Sequence, residues 1–182
     1  MGQYHKVVNL DKREFIHPHE LGSGLKQWEQ IANNPGTPHA LFILCCCSNG
    51  RGGGDFDLYR NAHGAGRTSR AADEPLEAPY QETALAVIGR WAGDRIAVVG
   101  DYTEDRDLPG SDTPASLIYR LCGVTPEDLD EDEKLRELVK KHNPYQNITS
   151  LVAKVIEHEL CGHYTGDGWK TWEPVERAKY TS

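Results

Sequence analysis

The longest apolar run in the chain, ALFILCCC at residues 40–47, is only eight residues long. A bilayer span needs about 20 apolar residues, so this run cannot cross one. Bounded by Pro38 and by the glycine-rich string NGRGGGD, it suits a central strand covered on both faces. The other apolar residues also fall in short runs, and their periods alternate between two and 3.6 along the chain. QYHKVVNLDKREFIHP reads as a β-hairpin turning at Asp11 and Lys12, and DRIAVVGDY reads as a β-branched strand. Leu21, Leu25, Trp28, Ile31 and Ala32 recur at helical spacing and predict a helix over 21–33. QETALAVIGRW favours a helix in its first half. TPASLIYRLCG predicts a helix with a threonine N-cap and proline at its first position. TPEDLDEDEKLRELVKKHNP opens the same way and predicts one solvated helix, acidic at its start and basic at its end. In the last helix, Ile148, Leu151, Val152, Val155 and Ile156 share a face.

This order of elements predicts an α+β fold with a small, mainly antiparallel sheet of about four strands and several helices packed against it. A length of 182 residues predicts a single domain over 1–182. The stretch from 50 to 80 lacks any period and reads as a long irregular loop, a length that usually signals function or mobility.

The chain carries 20 Lys and Arg against 28 Asp and Glu, a net charge of −8. An acidic chain lacks the positive field that displaces counterions from a phosphate backbone, so bulk nucleic-acid binding is not expected. Five cysteines with no C-x-x-C pair argue against a thiolate metal site. Cys45, Cys46 and Cys47 read instead as small buried hydrophobes in a reducing compartment. With no apolar leader in the sequence, and Lys6 where a myristoylation signal wants Ser or Thr, a cytoplasmic protein without a membrane partner is expected.

Several motifs fail on spacing. HELCGH places His158 and His163 five residues apart, whereas a zinc-protease helix needs four to bring both imidazoles to one face. HPH sets His17 and His19 on one side of an extended chain, so they are candidate metal ligands that lack a third partner. Asp94, Asp101, Glu104, Asp105 and Asp107 surround the strand RIAVVGDY, a common way to hold a divalent cation, but without EF-hand spacing. NGRGGGD follows an apolar run as phosphate loops do, yet has no Lys-Ser or Lys-Thr pair. Gly52, Gly53 and Gly54 would let backbone amides approach a ligand, with Arg51 supplying charge and Asp55 an acceptor. In GRWAGDRI, Trp91 offers an aromatic wall and Asp94 and Arg95 either pair with each other or face a ligand.

The strings MGQYHKVVNLDKREFIHPHELGSGLKQWEQ, RGGGDFD and GRWAGDRIAVVGDYTEDRDLP resemble a family of uncharacterised small proteins of microbial and viral genomes. The resemblance spans most of the chain. It implies a microbial or mobile-element origin and supplies no catalytic residue.

With no nucleophile, base or metal motif at workable spacing, the residues favour a binding module for a small molecule or a macromolecule, without an evident cofactor. Its site would comprise Arg51, Gly52, Gly53, Gly54, Asp55, Trp91, Asp94, Arg95 and Asp101. The alternative is a metal-assisted phosphoester hydrolase using Asp55, Asp101, His17 and His19 with a divalent cation. A third reading makes the acidic helix near 125–141 the contact surface for a partner protein.

Overall fold

The computed structural model of the protein describes residues 3–22, 27–32, 36–47 and 78–157. The chain gathers into two compact units, Met1–Thr37 with Gly93–Ser150, and Pro38–Ala92 with Leu151–Ser182. The class is α+β: among the described residues there are eight α-helices and one four-stranded sheet.

In the first unit, β1 (His5–Asn9) and β2 (Glu14–Ile16) form the expected antiparallel hairpin. β3 (Ile96–Gly100) pairs antiparallel with the other side of β1, and β4 (Gln146–Asn147) runs parallel to β2. The strand order is therefore β3-β1-β2-β4, which leaves β3 as an edge among the described residues. Side chains alternate across the pleat, so Val8, Phe15 and Val99 share one face. There they pack with Ile118, Leu121, Cys122 and Tyr145. Burying each large apolar side chain in this cluster contributes roughly 1.5–3 kcal/mol.

The hairpin turn is set by Asn9, whose side-chain oxygen accepts the backbone N–H groups of Asp11 (3.0 Å) and Lys12 (2.8 Å). Arg13 closes the turn in the left-handed region at φ 55. Its guanidinium donates to Thr113 Oγ1 and to the carbonyls of His142 and Asn143, and lies 4.4 Å from the Tyr145 ring centre. Those carbonyls end the helix Glu133–His142, so the arginine closes a helix C-terminus.

Lys6 does the same for a second helix, Ala115–Leu121. Only 8% exposed, it lies over the rings of Phe15 and Tyr119 and donates from Nζ to the Cys122 carbonyl at 2.6 Å. Gly123 comes next in the left-handed region at φ 77, and a Cβ there would sit 3.5 Å from Phe15 Cζ. It is this left-handed backbone after the helix end that favours glycine, since a Cβ would make only ordinary contacts with Phe15 and Lys6.

In chain order the helices are α1 (Pro18–Leu21), α2 (Gln27–Ala32), α3 (Thr37–Cys45), α4 (Ala78–Val87), α5 (Ala115–Leu121), α6 (Pro126–Glu131), α7 (Glu133–His142) and α8 (Thr149–Ile156), with a 3₁₀ turn at Asp105–Asp107. Several sequence expectations are corrected. HALFILC, the greater part of HALFILCCC, lies in the helix α3, with Ala40, Ile43 and Leu44 buried at helical spacing. A short apolar run fits either structure, and here Pro38 sits in a first helical turn, where its missing N–H costs nothing. Of the cysteines on either side of its end, Cys45 and Cys47 are exposed and Cys46 is half-buried, so among the described cysteines only Cys122 is a buried hydrophobe. Burial pushes the Cys122 thiol up to about 12.

The helix expected over 21–33 is present as α2 at 27–32, but with its apolar residues outward: Trp28 is 80% exposed while Gln30 is buried. Thr113 is not the N-cap of α5, because its hydroxyl receives Arg13, and Asp105 instead accepts the Ser116 N–H at 3.0 Å. The helix expected over 125–141 is two, α6 and α7, broken at Asp132, whose carboxylate accepts the Leu135 N–H at 3.0 Å. Thr125 caps α6 reciprocally with Asp128, as its sequence predicts. In α8 and just before it, Ile148, Val152, Val155 and Ile156 are buried as expected. The motif HELCGH and nearly all of the predicted loop at 50–80 lie outside the described residues.

Lys6→Met keeps the aliphatic stem and removes the charge that closes α5. The expected cost is about 2 kcal/mol, read as a lower denaturant midpoint with unchanged slope.

Candidate functional site

Of the residues proposed from sequence, Arg51, Gly52, Gly53, Gly54 and Asp55 lie outside the described residues. Trp91 is fully buried in the second unit, and its backbone N–H donates to the Leu44 carbonyl at 2.8 Å. Asp94, Arg95 and Asp101 belong to the first unit, at opposite ends of β3. Six residue steps of strand separate Arg95 from Asp101, or about 20 Å.

Asp94 and Arg95 do not pair with each other. Each clasps the hairpin turn instead. Asp94 accepts from Asn9 Nδ2 at 2.7 Å and from Lys12 Nζ, and these donors hold its carboxyl below the usual carboxylate range. Arg95 donates through its backbone N–H and Nε to Asp11, both at 2.7 Å. That pairing lowers the pKa of Asp11 and raises that of Arg95. These bonds spend the side chains on fixing β3 against β1.

Asp101 lies at the other end of β3, and its Oδ1 accepts the Tyr4 N–H at 3.2 Å. From there a seam of rings continues: Tyr4 meets His19 edge-on at 5.7 Å between centres, and His19 meets His17 at 5.4 Å. Gln30 Nε2 lies 3.3 Å from His19 Nε2. His17 Nδ1 is buried without a hydrogen-bond partner. Burial first, then the charge of Lys6, lowers the His17 pKa, with Glu20 opposing and His19 adding to the effect. Among the described residues, no three His, Cys, Asp or Glu side chains come together to hold a metal. The two histidine rings adjoin, but across the start of α1, where His19 is helical, and not along the extended chain expected of HPH; Asp55 lies outside the described residues.

Beside this seam, a cavity of about 340 Å³ opens against β3. It is lined by β3 itself and by Gln3, His5, Tyr102, Thr103, Asp107 and Leu108. The wall opposite the strand is fixed locally. Thr103 Oγ1 accepts the Gly100 N–H at 2.8 Å while its own N–H donates to the Gly100 carbonyl at 3.1 Å. Glu104 and Asp107 then close the 3₁₀ turn by capping each other's backbone. Gln3 lies where a Cβ on Gly100 would sit, so glycine lets that side chain fold over the strand end. His5 Nδ1 is buried with no hydrogen-bond partner, and Tyr102 is exposed.

Sequence reasoning found the acids after β3 but missed Gln3, His5, Tyr102 and Thr103. The available signal was the alternation of β1, which places His5 opposite Gly100 in the ladder.

No family model matches the chain, and neither does any curated protein or solved structure.

Because His17 and His39 both have pKa values lowered by burial, the unfolded chain binds more protons than the native protein below about pH 6.5. Stability is therefore present above that pH and is lost as pH falls toward the folded values. Thermal midpoints should therefore decline as pH falls from 7 through the ordinary histidine range. His17→Phe should make that decline shallower. An unchanged slope would show that His17 is not the group being protonated.

The clasp gives a second expectation: Asn9→Ala, which removes three hydrogen bonds, should cost about 2–3 kcal/mol. In a double-mutant cycle, Asn9→Ala and Asp94→Ala should be non-additive by at least about 0.5 kcal/mol, since the two residues share a bond.

Proposed function

We propose that the protein is a binding module that takes its ligand in the groove beside β3. One observation carries this reading. The groove combines an exposed tyrosine, a threonine turn and a histidine whose ring nitrogen is buried without a hydrogen bond. An unpaired buried acceptor or donor costs free energy that a ligand group could recover. A volume of about 340 Å³ falls within the range of small-ligand clefts, and also admits a few residues of extended chain. The carboxylates at Asp101, Glu104, Asp105 and Asp107 give the surroundings a negative field that favours a cationic or hydrogen-bond-donating ligand. We further propose an accessory role in a microbial or phage setting, consistent with the resemblance of its sequence strings. No helix among the described residues is long and apolar enough to cross a membrane.

The test is chemical-shift mapping of the ¹⁵N-labelled protein against fragments that carry both a cationic donor and an acceptor. The resonances of Gly100, Tyr102 and Thr103 should move together, and Tyr102→Ala should weaken the response at least tenfold. Shifts scattered over the surface, or none, would remove the groove as the site. A parallel melting scan with Mg²⁺, Mn²⁺ and Zn²⁺ tests the hydrolase alternative, since a bound metal raises the midpoint by mass action.

A further inference from the structure

We propose that β3 takes up an extended, basic segment of a partner protein as an added strand, paired to the backbone of Ile96 and Val98. This rests on the reading of the groove as the ligand site and names its occupant.

Leu10 N–H donates to the Arg95 carbonyl, and Asp101 N–H donates to the Tyr4 carbonyl. In an antiparallel pair successive residues face alternately toward and away from the partner strand. Arg95, Ala97, Val99 and Asp101 therefore turn their backbone groups toward β1, and Ile96, Val98 and Gly100 turn theirs outward. The outward N–H and carbonyl of Gly100 are both taken by Thr103. Those of Ile96 and Val98 have no partner strand among the described residues. Val98 is 48% exposed, so its side chain does not shield the edge.

Free edges are usually blunted by lysine, proline or a bulge. The strand IAVVG carries none of these. It is instead bordered by the groove, with Tyr102, Thr103, Asp107 and Leu108 forming a wall beside the open backbone. A row of outward amides next to a side-chain cleft is the arrangement by which a sheet captures a peptide: the ladder supplies affinity, and the cleft reads alternate side chains.

Charge selects the occupant. Residues 101–108 carry four carboxylates, Asp101, Glu104, Asp105 and Asp107, against the single cation Arg106. All five are exposed, and Arg106 is already paired with Glu104 at 2.7 Å. At the other end of β3, Arg95 is bound to Asp11 and lies 3.5 Å from Asp112. An incoming strand with lysine or arginine at alternate positions meets a wall that stays net negative, with Asp101, Asp105 and Asp107 in excess of the Glu104–Arg106 pair. A second copy of this acidic chain meets like charge instead, which disfavours edge-to-edge pairing of two copies.

The test uses the intact ¹⁵N-labelled protein and a seven-residue peptide of alternating valine and lysine. A second peptide of the same sequence is N-methylated at every other residue, which removes ladder donors but keeps charge and side chains. With the first peptide, the amides of Ile96 and Val98 should shift and their hydrogen exchange should slow at least tenfold. The methylated peptide should bind at least tenfold more weakly. Val98→Pro should abolish the effect, and since its N–H points outward, proline at this edge position is compatible with the fold. The methylated peptide keeps the test valid on the unaltered protein if that variant fails to fold.

Equal binding of the two peptides would overturn strand addition and leave only charge attraction. Shifts confined to Tyr102 and Thr103, without protection of Ile96 and Val98, would overturn it while preserving the groove as a ligand site. No response to the peptide alongside a response to the cationic fragments would do the same, and no response to either would overturn both. Protection of Ile96 and Val98 without peptide, together with a dimer by sedimentation, would assign the edge to a second copy instead.

Discussion

The first hairpin holds its unit together by offering charged and polar side chains to backbone groups orphaned elsewhere. Lys6 and Arg13 reach opposite ends of the same ribbon and close the C-termini of α5 and α7. The last carbonyls of a helix have no partner within it and carry its negative end, so each cation meets both a hydrogen-bonding need and a favourable field. Asn9 and Asp11 then fasten the start of β3 through Asp94 and Arg95. Remove these contacts and the sheet still has apolar residues to bury, but nothing fixes which strand lies at its edge.

That fixing matters because the groove is made by the edge. β3 sits beside β1 with a register that turns Ile96 and Val98 outward, and the Thr103 turn folds back over Gly100 to form the opposite wall. Asp94 and Arg95, singled out from sequence as ligand contacts, bind Asn9, Lys12 and Asp11 instead, and so place the strand that borders the groove. Charged residues near a strand end are thus ambiguous in sequence, since the same pair can bind a ligand or bind the fold.

Much of the sheet was legible because its signals are local. Alternation in YHKVVNLDKREFI and the β-branched run in RIAVVG each specify a strand without reference to neighbours, and Thr125 with Asp128 specifies a helix start. The errors fall where local rules are degenerate. ALFILCCC satisfies a buried strand and a buried helix face equally, and Asp132 looks like one more acid in a helix until its carboxylate is seen capping the next one. Thr113 had the identity of a cap, but a distant arginine took its hydroxyl and Asp105 supplied the cap from another segment.

The sequence by itself determined the α+β class, the hairpin and its turn, the strand at 96–100 and the acidic character of residues 101–107, because period, turn chemistry and charge act over a few residues. Only the tertiary structure decided that β3 is an edge among the described residues, that Lys6 and Arg13 are helix caps, and that His5, Tyr102 and Thr103 share one groove. Each of those depends on contacts between segments tens of residues apart, and their partners are chosen by which orphaned donors and acceptors the packed chain brings within hydrogen-bonding reach.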